Sequence, residues 1–316
     1  MKIAVLFPGQ GSQFLGMGRD FIAQDRASRE LMAMAEDVCQ MSLGRLINDG
    51  PLEDLTRNAR LQPAITVTNL ICWQNLRQRF DEKKISCFAG HSLGEYSALC
   101  AAGAVSAEDT LRLVAKRGAL MERAGEEHPG GMRAVIGLAM EQLAQIIERY
   151  DGPGVVAAAN HNTAEQIVIS GSIEGLDGVT AIAEEKGAKV VALNVSVANH
   201  SPLVAAAVPE FSRFLQTITF AAPSTPVYFN VSAQRDADPV TIKQMMGQQI
   251  VSRVRWYELI GAMLADGVDT FIEVGPKTVL KGMMRKIKPQ GVDITTLQFD
   301  SPTALAACLE KLAPVE

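Results

Sequence analysis

No apolar run in this sequence approaches the roughly 20 residues needed to cross a bilayer. Stretches such as Ile3 to Phe7 and Val155 to Ala159 stop after five residues. The N-terminus lacks the charged, apolar and small-residue layout of a secretory leader, so no membrane association and a cytoplasmic location are expected. An excess of one charge sign is missing too. The 30 Lys and Arg and 35 Asp and Glu are mixed along the whole length, giving a net charge of -5. Without a basic stripe to neutralise a phosphate backbone, nucleic acid is excluded as a partner. The five cysteines (Cys39, Cys72, Cys87, Cys100 and Cys308) are odd in number, scattered and in apolar company. Such a set reads as reduced, buried thiols, with neither a disulfide framework nor a metal site. Internal repeats and low-complexity tracts are also absent.

What remains is a globular chain of 316 residues with 47% hydrophobic content, enough for a sizeable core and expected to be a monomer by default. Short apolar runs followed by helical patterns recur. Ile3 to Phe7 precedes a polar, Gly-rich turn; Ile85 to Ala89 precedes Gly90 to Gly94 and an Ala-rich helical segment, Tyr96 to Ala102. This alternation predicts an α/β fold with a parallel sheet, closed by a final core strand at Phe271 to Val274. In the middle, Met132 to Leu138, Gly154 to Ala159, Gln166 to Ser170 and Lys189 to Val197 read as strands, with helices at Met140 to Tyr150 and Ile173 to Glu185. The order strand, helix, strand, strand, helix, strand suggests a small ferredoxin-like unit inserted into the larger body. The turn Glu126 to Gly131 and the corner Asn199 to Pro202 bound it. Helix resumes from Ser201.

Gly90-His91-Ser92-Leu93-Gly94 is a G-x-S-x-G pentapeptide between an apolar strand and a helix, the context of a nucleophile elbow. Taken alone, the pattern also fits an ordinary Gly-rich turn capped by a serine. At a helix N-terminus, Ser92 would have backbone donors and the helix dipole beside a developing oxyanion. Four histidines compete as its base. His91 lies inside the elbow and should support the turn. His128, in Glu126 to Gly130, and His161, in a polar stretch after a strand, read as surface residues. His200 ends an apolar strand just before Ser201-Pro202, a helix N-cap followed by Pro, and so occupies a strand-to-helix corner as Ser92 does. A histidine at such a corner is often structural; the serine elbow elsewhere makes His200 the candidate base. Arg117 lies between two apolar arcs, Leu111, Val114, Ala115, Gly118 and Met121 on one side and Leu113 and Leu120 on the other, on a helix that opens with Ser106 and Asp109 as a capping box. A guanidinium held on a largely buried side needs an anion, either a core carboxylate or a ligand.

The motifs Phe7-Pro8-Gly9-Gln10-Gly11-Ser12-Gln13, Gly90-His91-Ser92-Leu93-Gly94-Glu95-Tyr96 and Arg117-Gly118-Ala119-Leu120-Met121 resemble those of the malonyl-CoA:acyl-carrier-protein transacylase family of fatty-acid and polyketide synthesis. Asn160 to Gly171, His200-Ser201, Gln249 ahead of Val254-Arg255-Trp256, and Glu273 to Pro276 extend the likeness over nearly the full length. The resemblance implies an α/β-hydrolase-like large domain (1–127 and 199–316) with an inserted ferredoxin-like small domain (128–198), and an active site between them. It implies that Ser92 attacks a thioester and His200 moves the proton. Backbone amides of Gln10 and Leu93 would form the oxyanion hole, and Gln249 would orient His200 through its backbone or side chain. His91 and Asn160 are expected to support the site. Arg117 would clamp the malonyl carboxylate, selecting it over acetyl. No bound cofactor is implied: malonyl-CoA is substrate, and the phosphopantetheine belongs to the partner, an acyl carrier protein. Three departures bear on the width and charge of the acyl pocket: Asn199 before the base, where malonyl-specific polyketide members commonly carry Phe; Glu122, where Gln is usual; and Arg253, where Pro is usual. Two rival readings use the same framework. One is a hydrolase of carrier-bound thioesters, which would have no use for a buried carboxylate clamp; the other is a non-catalytic docking subunit, for which intact Ser92, His200 and Arg117 would be superfluous.

Overall fold

The run Ile3–Phe7 is buried at every position, which a strand achieves only when both faces of its sheet are covered. The computed structural model, which describes residues 1–195 and 197–313, shows that arrangement. A six-stranded sheet runs in the order β10-β9-β1-β2-β7-β8: β1 is Ile3–Phe7, β2 Ile85–Gly90, β7 Val227–Tyr228, β8 Arg235–Asp236, β9 Thr270–Val274 and β10 Thr295–Phe299. Neighbours are parallel except β8, which is antiparallel to β7. Ile3, Val5 and Phe7 join the larger core, with the helices Asn58–Arg77 and Ala107–Glu127. Ala4 and Leu6 face the opposite way, toward the helix Trp256–Ala265.

The second sheet is antiparallel, in the order β4-β5-β3-β6, with β3 at Gly131–Ile136, β4 at Val156–Thr163, β5 at Gln166–Gly171 and β6 at Lys189–Ala192. The helices Met140–Arg149 and Ile173–Glu185 pack on one face over Val135, Ile167 and Ile169. The other face carries Met132, Ala134, Ala159 and Val168. It meets the first sheet's body through β4: the His161 N–H donates to the carbonyl of Val254, and the Val254 N–H to that of Ala159, both at 2.8 Å.

Several boundaries differ from those read in the sequence. β4 runs on to Thr163, because its pairing with β5 continues through Asn160, His161 and Thr163 where the apolar pattern ends. β6 stops at Ala192, short of the expected Val197, and Ser196 in that stretch lies outside the described residues. β9 is not the last strand: β10 pairs beyond it as a half-exposed edge, where only Leu297 and Phe299 are buried. The two-residue strands β7 and β8 were too short for any periodicity to reveal.

Gly118 lets the helices Asn58–Arg77 and Ala107–Glu127 approach closely; a Cβ there would stand 2.5 Å from the Asn58 carbonyl oxygen and 3.1 Å from Ala59 Cα. Both are backbone atoms, so the helices would have to separate. Gly118→Ala is therefore expected to destabilise the protein by about 1 to 3 kcal/mol, and an unchanged denaturant midpoint would contradict this packing.

Candidate active site

Ser92 sits at the turn from β2 into the helix Gly94–Ala101, with φ at 49°, a left-handed conformation that costs a non-glycine residue energy. The turn can form only around glycines. A Cβ on Gly90 would stand 1.9 Å from the backbone of Gly94, and one on Gly94 would stand 2.1 Å from the Phe7 carbonyl. Asn230 holds the strained turn from outside. Its Oδ1 accepts from the Ser92 N–H at 2.7 Å, and its Nδ2 donates to the Gly90 carbonyl at 2.8 Å.

His200, also left-handed with φ at 58°, places Nε2 2.7 Å from Ser92 Oγ. Its Nδ1 faces two backbone carbonyls, Gln249 at 3.0 Å and Ser252 at 2.9 Å. Carbonyls only accept, so the hydrogen is assigned to Nδ1, and Nε2 is left to accept from the serine hydroxyl. Gln249 thus meets the imidazole through its backbone. Burial, and after it the nearby Arg117 cation, push the His200 imidazole down to about 3, which keeps it neutral.

Arg117 is 2% exposed, on a helix capped by Ser106, whose Oγ accepts from the Asp109 N–H. It forms no ion pair among the described residues. Nη1 donates to Gln62 Oε1 at 2.9 Å; Nη2 donates to Gln249 Oε1 at 3.1 Å and approaches Ser92 Oγ at 3.4 Å. The Tyr96 ring lies 5.6 Å away, and Nε has no partner among the described residues. A buried guanidinium held by neutral groups has an unmet demand for an anion; burial pushes it below its ordinary value.

A cavity of about 410 Å³ opens over Ser92 and His200, walled by Gln10, Asn160 and Asn199 and by Met132, Ala134 and Val168 from the open face of the second sheet. Arg117 does not line it, although Ser92, its close neighbour, does. Neither the Gln10 nor the Leu93 amide donates a hydrogen bond within the described residues, so both remain available to an oxyanion. Gln10 Oε1 accepts from Asn199 Nδ2 at 3.2 Å. His91 Nε2 lies 2.8 Å from Asn162 Oδ1 and the ring packs edge-on against Trp256, tying the elbow to β4. Burial pushes His91 down.

Other expectations change. His161 is buried on β4, 3.2 Å from a Glu258 carboxylate oxygen and against Tyr257; it is not a surface residue, because the strand continues past the apolar run. His128 is exposed, at the end of its helix. Of the three departures, only Asn199 lines the cavity. Glu122 faces away: it pairs with Arg57 and accepts from the Ala59 N–H at 2.9 Å, capping the helix Asn58–Arg77. Arg253 reaches Met140 Sδ. Asn230 and Gln62 were missed, since lone amides carry no sequence signal. Glu95 was passed over, although a carboxylate in an Ala-rich helix right after the elbow is itself a signal.

The acyl transferase domain family matches residues 5–297. The chain is 38% identical over 315 residues to the malonyl CoA-acyl carrier protein transacylase of Bacillus subtilis (strain 168), covering 98% of this chain and 97% of the relative. Among solved structures, it is similar to the acyl-carrier-protein S-malonyltransferase of Bartonella henselae, with a TM-score of 0.93, 38% identity and 99% of both chains covered. It is also similar to a type II polyketide-synthase malonyl-transacylase in complex with its acyl-carrier protein, with a TM-score of 0.93, 32% identity, and 98% of this chain and 100% of that chain covered.

Proposed function

The chain belongs to the acyl transferase domain family, and we propose that it moves a malonyl group from malonyl-CoA, through an acyl-Ser92, to the phosphopantetheine thiol of an acyl carrier protein. The observation that carries the substrate class is Arg117, a buried cation without a carboxylate partner among the described residues, 3.4 Å from Ser92 Oγ. Its Nε, without a partner among the described residues, and Nη2, beside Ser92 Oγ, would form the side-on fork that takes up a malonyl carboxylate in bidentate fashion.

In the first half-reaction, Ser92 Oγ attacks the thioester carbonyl carbon while its proton passes to His200 Nε2. The tetrahedral oxyanion rests on the Gln10 and Leu93 amides. The carbon–sulfur bond then breaks, and His200 returns the proton to the departing CoA sulfur. In the second, His200 takes the proton of the pantetheine thiol, the sulfur attacks the acyl carbon, and Ser92 Oγ leaves and is reprotonated. Two backbone carbonyls fix the tautomer in the place a triad gives to a carboxylate. His91 and Asn160 support the elbow and the cavity wall. The chain's architecture is read as an α/β-hydrolase-like domain (1–127 and 199–316) holding a ferredoxin-like insert (128–198), with the cavity between them and a cytoplasmic location. No helix among the described residues is long and apolar enough to cross a membrane.

The test is incubation with malonyl-CoA, with and without a pantetheine-bearing acyl carrier protein, followed by intact-mass analysis. A malonyl adduct that passes to the carrier is expected; release as free malonate with no carrier product would establish a hydrolase, and no adduct a non-catalytic protein.

A further inference from the structure

We propose that Glu95 is a positioning residue for acyl selection: its carboxylate orients the Gln249 amide, and through that amide the Arg117 guanidinium beside Ser92. The inference rests on the transferase reading above. Glu95 is 1% exposed, on the first turn of the helix Gly94–Ala101, and forms no ion pair among the described residues. Its Oε1 accepts from the Asn230 N–H at 2.7 Å, and its Oε2 from Gln249 Nε2 at 2.5 Å. Gln249 Nε2 also donates to the Ser92 carbonyl at 2.9 Å, while Oε1 accepts from Arg117 Nη2 at 3.1 Å.

The ends of this chain of bonds permit one orientation only. Arg117 and the Asn230 N–H can only donate; the Ser92 carbonyl can only accept. A carboxylate at 95 accepts at both oxygens, so Gln249 must turn its NH₂ toward Glu95 and its oxygen toward Arg117. Asn230, held at its N–H by Glu95, is also the residue whose side chain spans the elbow from Gly90 to Ser92. Glu95 thereby couples the nucleophile's turn to the cation that meets the acyl carboxylate. An uncharged amide at 95 breaks the logic. Its oxygen must still face the Asn230 N–H, so its NH₂ faces that of Gln249. If Gln249 flips to relieve this, its NH₂ then faces Arg117, and the Ser92 carbonyl loses its donor. Either way a buried donor is left unmet, and the flip that relieves it costs Arg117 its acceptor. Burial raises the Glu95 carboxyl to about 7, and the two donors it faces favour the ionised form.

The experiment compares kcat/KM for malonyl-CoA and acetyl-CoA in the parent, Glu95→Gln and Glu95→Asp. In Glu95→Gln the malonyl-over-acetyl ratio should fall roughly tenfold to hundredfold, chiefly through a higher KM for malonyl-CoA, with acetyl transfer less affected. A merely structural role would lower both substrates together, and a folded Glu95→Gln with the parental ratio overturns the proposal. Should that variant fail to fold, Glu95→Asp carries the test: it keeps the charge but is too short to reach both donors, so an intermediate ratio is expected and an unchanged one overturns the proposal. A parent without malonyl preference overturns the malonyl-selective reading of the site and this inference with it, an outcome distinct from both.

Discussion

Ser92→Ala is expected to abolish the acyl adduct and to lower transfer by on the order of 10⁴- to 10⁶-fold, the scale on which removal of a covalent nucleophile acts. His200 Nε2 would lose its partner at 2.7 Å, and no other hydroxyl stands in that position among the described residues. The fold should survive. Alanine carries the same Cβ through the left-handed turn at φ 49°, and the anchoring bond from the residue 92 N–H to Asn230 Oδ1 does not involve the hydroxyl. Intact mass after exposure to malonyl-CoA, together with a melting curve, checks both halves. An adduct persisting in the folded variant would remove Ser92 from the mechanism.

Arg117→Ala is expected to collapse the preference for malonyl over acetyl. A malonyl carboxylate loses its water on entering the site, and loss of a buried charge partner costs on the order of 3 to 4 kcal/mol, about two to three decades in kcat/KM for malonyl-CoA. Acetyl-CoA never makes that contact and should lose little. Lysine should rescue only part of the preference, because a point charge cannot reproduce the planar fork. The same variant has a second consequence, with a definite sign. The Arg117 cation is one cause of the depressed His200 imidazole, after burial. Removing it leaves burial in place but takes away the repulsion that disfavours imidazolium, so the His200 midpoint should rise from about 3. A malonyl carboxylate seated on Arg117 would offset the same repulsion, making the correct substrate a promoter of its own base. Ring ¹⁵N shifts of His200 against pH, in parent and variant, read this directly. A parental acyl ratio in Arg117→Ala would make Arg117 a structural cation, and an unmoved midpoint would sever its coupling to His200.

The sequence by itself determined the features that depend on near neighbours along the chain. The buried run Ile3–Phe7, the glycines around Ser92, the Ser106 cap and the strand and helix order between Gly131 and Ala192 are set by backbone conformation and by period, and each leaves a local pattern. The fully apolar strands could be recognised because a doubly covered sheet leaves no polar side. The corner at His200 was visible through the Ser201 cap and Pro202 beside it, although the strand expected to lead into it stops at Ala192. What only the tertiary structure decided is how groups far apart in sequence face one another. The carbonyls of Gln249 and Ser252 fix the His200 tautomer from about 50 residues away. Glu122 turns out of the pocket to cap a helix, and His161 is buried because β4 finds a partner in Val254. The orientation of Gln249 depends on Glu95, Ser92 and Arg117 together. An amide can turn either way, and its choice is made by donors and acceptors that only the folded chain brings within 3 Å or so of it.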